Sequence, residues 1–338
     1  MERKYIQIVR LTLVMLYLVI LAGSVVRMTG SGMGCPDWPK CFGKWIPPSS
    51  EDQLPKDYQK TYAEKGIKKT ERFASLIEKF GFKEVANELR KEAKHRKPEK
   101  FNAAKTWTEY VNRLIGALAG LFVLISTLFA VRFYKTNSNW FWLSLLNLVL
   151  IVITAWFGAI VVATNLMPWI ITVHMMLAVV LVMNQVNLIT KVVRPRFRIN
   201  VSRGFRFLLF LSVLLTLTQI VFGTQVRQQV DVFSENMGEA YRDNWIYWVM
   251  NNGSTFIVHR MLSIALMLLT LLLMYVSGRN RYGTPLLNFV FLFMLVEVAL
   301  GVTLNYAGMP QFAQPLHLLV GTIIVGMQVY IYKRTQSR

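Results

Sequence analysis

The chain has 338 residues, 54% of them hydrophobic and only 17% charged, where an average soluble domain carries roughly 25%. A soluble protein of this length could bury a core without uninterrupted apolar runs of about twenty residues, yet runs of that length, each enough to cross a hydrocarbon layer of about 30 Å, recur along the chain. The net charge of +20 would suit nucleic acid, but its basic residues are sorted by loop, which excludes a nucleic-acid surface as its main explanation.

The first apolar run predicts a helix over 9–28, with Arg3, Lys4 and Arg10 at its start. Ala22, Gly23 and Ser24 follow the run as they would in a signal peptide. The run is long, however, and the Gly-rich stretch beyond reads as ordered loop. A long polar loop then covers 30–106, rich in Lys but also in Glu and Asp. Within its 49–105 insertion, Tyr62, Phe73, Ile77, Phe80, Val85 and Leu89 recur at helical spacing, so 55–97 is expected to be a small helical hairpin or a partly mobile insertion. The two cysteines, Cys35 and Cys41, lie in the same loop. A structural disulfide, redox-active thiols and two unpaired thiols are all compatible with them, and two cysteines are too few for a metal site.

Seven further spans are predicted over 107–131, 140–163, 168–190, 206–226, 255–277, 285–305 and 313–332. One set of short connections holds Arg132, Lys135, six basic residues from Lys191 to Arg206, Arg279 and Arg281, and the same side receives Lys333, Arg334 and Arg338. The opposite turns, 164–168 and 306–312, hold none. Basic residues stay on the cytoplasmic side, so both termini are expected there, in a multi-pass protein of a bacterial inner membrane.

The two halves repeat. Asn112-Arg113 and His259-Arg260 stand at equivalent helix starts, offset by 147 residues, while Gly158 and His174 match Gly301 and His317 at an offset of 143. Gly23…Arg27 likewise matches Gly223…Arg227. The expected fold is an all-α polytopic membrane protein with eight transmembrane helices. They are expected to form two four-helix bundles related by a pseudo-two-fold axis, one in 1–200 and one in 201–338.

Three of the four histidines, His174, His259 and His317, fall inside predicted spans near one membrane face. Ionisable groups at such depth point to function more often than to packing, although a single histidine is often only hydrogen-bonded core. His259 and His317 come from alternate helices of one bundle, as two axial ligands of a haem iron would. No Cys, Asp or Glu set suited to zinc or copper lies nearby in sequence. Arg260, Arg227 and Gln225 could meet propionates, or the arginines could simply snorkel to the interface. In the first half the partner of His174 is Asn112, a poor iron ligand, and Glu109 lies one turn before it on the same helical face, where the second half has Phe256. One bundle thus reads as a closed electron-transfer site and the other as an open site beside a carboxylate. Glu297, whose repeat counterpart is Thr154, has no evident role.

The stretch from Gly23 to Pro48, with its Gly-Cys35-Pro-Asp-Trp-Pro-Lys-Cys41 core, closely resembles the helix-one exit and first loop of haem A synthases. Glu109-Tyr-Val-Asn112-Arg113, His174, His259-Arg260 and His317 also stand where that family keeps its functional residues. The resemblance implies oxidation of the C8 methyl of haem O to a formyl group by way of a hydroxymethyl intermediate. It implies a haem b cofactor on His259 and His317 with Arg260 and Arg227 beside it. Glu109 is then catalytic, in a substrate-haem site with His174, Asn112, Arg113 and Arg27, and Cys35 pairs with Cys41. Haem O synthase and cytochrome oxidase assembly proteins become candidate partners, and a homo-oligomer is compatible with it. Two departures stand out: the family commonly has His at Asn112, and commonly carries a cysteine pair between helices five and six, where 227–254 has none. The competing readings are a di-haem membrane cytochrome that only carries electrons, and a transporter with parallel repeats.

Overall fold

A computed structural model describes the chain except for residues 38, 80, 96–99, 165, 194–197, 242–244, 251–252 and 338. Among the described residues, eight helices are long and apolar enough to cross a membrane. They are α1 (Glu2–Met28), α4 (Ala103–Val131), α5 (Ser138–Ala163), α6 (Pro168–Val192), α7 (Arg203–Met237), α9 (Ser254–Arg279), α10 (Leu286–Tyr306) and α11 (Ala313–Arg334). Between them lie α2 (Tyr58–Lys79), α3 (Lys83–His95) and the short α8 (Trp245–Met250). Leu118, Leu128, Val152, Trp156, Phe207, Leu268 and Leu292 are exposed on these spans. Such faces are unfavourable in water and natural against lipid, where helices satisfy their own backbone groups. The chain is an all-α polytopic membrane protein.

The predicted spans agree with the observed ones to within a few residues, except that α1 starts at Glu2 rather than at 9 and α7 runs well past its predicted end. α7 continues about three turns past the predicted end at 226, through Arg227, Gln228, Gln229 and Asp231, to Gly238 at a positive φ of 57°. Polar residues ended the hydropathic run but not the helix: Arg, Gln and Val carry it on, and Arg227 pairs with Asp231 one turn later at 2.8 Å. The hairpin expected in 55–97 is α2 and α3; Phe80 and the connection at 96–99 lie outside the described residues.

The chain divides into two compact units. The first comprises Met1–Leu21, Ala119–Ile151 and Met176–Arg338. In it α7 packs on α9 and α11, and α10 packs on the same two, so the four helices close into a bundle. Phe205, Leu209, Leu273, Leu287 and Ile324 form its core. Ser202 caps α7 by accepting from Phe205 N at 3.2 Å. Just before it, β1 (Ile199–Val201) pairs in parallel with β2 (Thr335–Ser337). Elsewhere in this unit three amides form a network: Asn147 Nδ2 donates to Gln185 Oε1 at 2.6 Å, Gln185 Nε2 to the Val9 carbonyl at 2.7 Å, and Asn184 Nδ2 to Asn147 Oδ1 at 2.7 Å. Pairing removes the cost of holding amides in an apolar layer and stitches three helices together.

The second unit comprises Ala22–Leu118 and Val152–Met175. Here the α2–α3 hairpin buries Ala74, Ala86 and Leu89 against Ile160, Met167 and Ile170. Thr70 Oγ1 donates to the Ala163 carbonyl at 2.7 Å. Arg90 joins the two hairpin helices by pairing with Glu71 at 3.0 Å and Glu78 at 2.7 Å. The insertion is therefore docked structure, with Phe42 of the first loop set edge-on to Tyr58, Tyr62 and Phe101.

Candidate functional site

Within the second unit, the loop after α1 is sewn onto the start of α4. Gly34 lies so close to α4 that a Cβ would stand 2.7 Å from the Lys105 carbonyl carbon and 2.8 Å from its oxygen. Neither atom belongs to a flexible side chain, so only glycine fits. Thr106 Oγ1 donates to the Gly34 carbonyl at 2.9 Å. The next residue, Cys35, is disulfide-bonded to Cys41, with their Cα atoms 5.2 Å apart, and its backbone N–H donates to Glu109 Oε2 at 2.6 Å. Glu109 Oε1 is paired with Arg113 one turn further along α4. Glu109 is 2% exposed. Its carboxylate is thus oriented by a backbone amide on one oxygen and a guanidinium on the other. Of the three options left open for the cysteines, the structure takes the disulfide. Further along, Lys69 Nζ donates to the Pro36 carbonyl at 3.0 Å and Tyr110 Oη to the Trp45 carbonyl at 2.7 Å. Trp38, inside the quoted loop motif, lies outside the described residues.

The expected ligand residues share a second feature that the repeat alone did not reveal. Each leans on a glycine of the preceding span. A Cβ on Gly158 would meet the His174 ring at 3.2 Å, one on Gly223 the His259 ring at 3.2 Å, and one on Gly301 the His317 ring at 3.4 Å. The fourth member is looser: Gly23 would place its Cβ 3.9 Å from Asn112 Oδ1. Each glycine opens a recess for an imidazole on the neighbouring helix, and the Asn site keeps the recess without the ring. The signal was present in the sequence as Gly23, Gly158, Gly223 and Gly301 at repeat positions, but pairing them with the next helix needs tertiary contact.

In the first unit, the His259 and His317 rings are neighbours, with centroids 6.5 Å apart and planes inclined at 66°. Two imidazoles on opposite sides of one metal, each at a metal–nitrogen distance of about 2 Å, put their centroids about 6 Å apart. Nδ1 of both rings is buried without a hydrogen bond of standard geometry. Two imidazoles from alternate helices, each beside a glycine recess and with Gln219 and Glu297 as the polar groups next to them, could hold a haem iron. Among the described residues no group of three or more His, Cys, Asp or Glu could hold a bare metal ion. Gln219 Nε2 lies 3.4 Å from His259 Nε2 and donates to the His259 carbonyl at 3.0 Å.

A family model described as "Cytochrome oxidase assembly protein", COX15-CtaA, matches residues 7–96 and 82–329. The chain belongs to the COX15-CtaA family. Over 47 residues it is also 45% identical to a Heme A synthase of Shewanella oneidensis, a stretch covering 14% of this chain and 14% of that relative.

The arginines expected to flank a haem in this COX15-CtaA chain are placed differently from one another. Arg227 pairs with Asp231 on the continuation of α7. Arg260 is exposed next to His259, and Arg27 stands in the last turn of α1. Arg113, by contrast, is engaged by Glu109, and the residues that pin this pair, Gly34 and Thr106, were not picked out from the sequence.

Proposed function

We propose that this COX15-CtaA chain is a haem A synthase, oxidising the C8 methyl of haem O to a formyl group through a hydroxymethyl stage. The observation that carries the reading is the unequal pair of recesses. The His259 and His317 rings lie 6.5 Å apart, whereas the counterpart of His259 is Asn112, with the buried carboxylate of Glu109 one turn away. In this reading His259 and His317 hold a haem b, which supplies one-electron transfer when bound. Haem O is the substrate of the first half, with His174 as its single histidine ligand and Asn112, Arg113 and Arg27 around it. Glu109, held by Cys35 N–H and Arg113, takes a proton from the C8 position or stabilises positive charge developing there. Its fixed orientation keeps the reorganisation needed during reaction small. The two halves are then quasi-equivalent bundles in a bacterial inner membrane with cytoplasmic termini, receiving haem O from a haem O synthase and delivering haem A towards cytochrome oxidase assembly.

The deciding experiment is expression in a bacterial host that makes haem O but no haem A, followed by haem extraction and mass analysis. Haem A, or haem O gaining one oxygen as the hydroxymethyl compound, is the expected product. Haem B alone with unmodified haem O would favour the second reading, a di-haem electron carrier, which the neighbouring His259–His317 pair also fits but which leaves Asn112 and Glu109 without a role.

A further inference from the structure

Glu297 is a half-buried carboxylate that the proposed reaction does not use. It stands on α10 four residues before Gly301, one helical turn from the glycine that makes room for His317. Its Oε1 lies 3.3 Å from His317 Nδ1, and its Oε2 has no hydrogen-bond partner. On α11, Gly321 is one turn beyond His317 and clears the same space: a Cβ there would come within 3.1 Å of Glu297 Oε1. Two glycines therefore open a slot in which one carboxylate meets one imidazole.

The same position in the repeat carries polar residues wherever a histidine follows. Four residues before each recess glycine stands Thr154 for His174, Gln219 for His259 and Glu297 for His317, all polar. Before Gly23, which serves Asn112, the residue is Val19. A polar residue stands where an imidazole follows and an apolar one where none does; Glu297 sets a carboxylate oxygen beside its imidazole, whereas Gln219 approaches His259 through its Nε2.

We propose that Glu297 is a positioning residue for His317: it accepts the Nδ1–H and so presents Nε2 to the iron. This rests on the haem reading of His259 and His317. A ligating histidine commonly gives its second N–H to a carboxylate or carbonyl, which fixes the tautomer and raises the basicity of the ligand. His317 has a carboxylate beside it and His259 an amide, so the two ligands are unequal. The carboxylate favours the ferric state and lowers the midpoint potential of the bound haem.

The test uses the purified full chain with its haem, comparing native protein with Glu297→Gln and Glu297→Leu by potentiometric titration and low-spin EPR. Both variants are expected to keep low-spin haem, with the potential raised modestly in Gln and more in Leu, and with shifted g-values. Native potential and g-values in Glu297→Gln at full haem content overturn the proposal, even where the Leu variant fails to fold. His317→Ala separates the two levels. A changed low-spin signal there with unmoved Glu297 variants removes only the role of Glu297. An unchanged signal places the haem elsewhere and removes the haem reading along with it.

Discussion

Glu109 has both carboxylate oxygens engaged, one by Cys35 N–H and one by Arg113. A structural anchor and a catalytic group can share that geometry, and Glu109→Gln separates them. Glutamine keeps an oxygen to accept the Cys35 N–H, so an anchor would survive the change. A group that handles a proton or developing charge would not, and haem A yield is expected to fall about 100-fold or more, read by mass analysis of extracted haem. The recess glycines make a second case. Gly223→Ala and Gly301→Ala put a methyl 3.2 and 3.4 Å from the His259 and His317 rings, so on the proposed reading both should reduce haem content or alter the low-spin absorption. Gly116→Ala, whose Cβ meets nothing within 4 Å, should leave the spectrum native and improve helix propensity by up to about 1 kcal/mol.

At the scale of elements, the α2–α3 hairpin is held by a small seam. Leu89 is 1% exposed and belongs to a cluster with Ile160, Met167 and Ile170. Leu89→Ala should weaken docking by about 2–5 kcal/mol, seen as faster hydrogen exchange across Tyr58–Lys79 and Lys83–His95 while the spans keep native protection. The hairpin itself was legible because its apolar residues recur at helical spacing. Its docking surface was not, because Leu89 and Ile170 are far apart in the chain. The extension of α7 to Met237 was missed for a different reason. Hydropathy measures what lipid accepts, and a helix can run on into water through Arg227, Gln228 and Gln229 without any change in backbone.

At the scale of the molecule, the eight spans and the sorted basic residues make a topology that can be checked directly. Reporter fusions near 134 and 281 should report the cytoplasm, and fusions near 166 and 308 the opposite side. Inverted activities would reverse the orientation and place the Cys35–Cys41 disulfide in a reducing compartment, where it would not persist.

The sequence alone determined the membrane class, the eight spans and the repeat, since each depends on composition or spacing along the chain, and lipid imposes both length and polarity on a crossing helix. It also singled out Glu109, Asn112, His174, His259 and His317, because polar groups are conspicuous in apolar runs. Only the tertiary structure decided what those residues touch. The Cys35–Cys41 bond, the Cys35–Glu109–Arg113 chain, the glycine recesses and the Glu297–His317 contact nearly all join groups on different elements. Distances of that kind are set by how helices pack, to which a periodic pattern along one helix is blind.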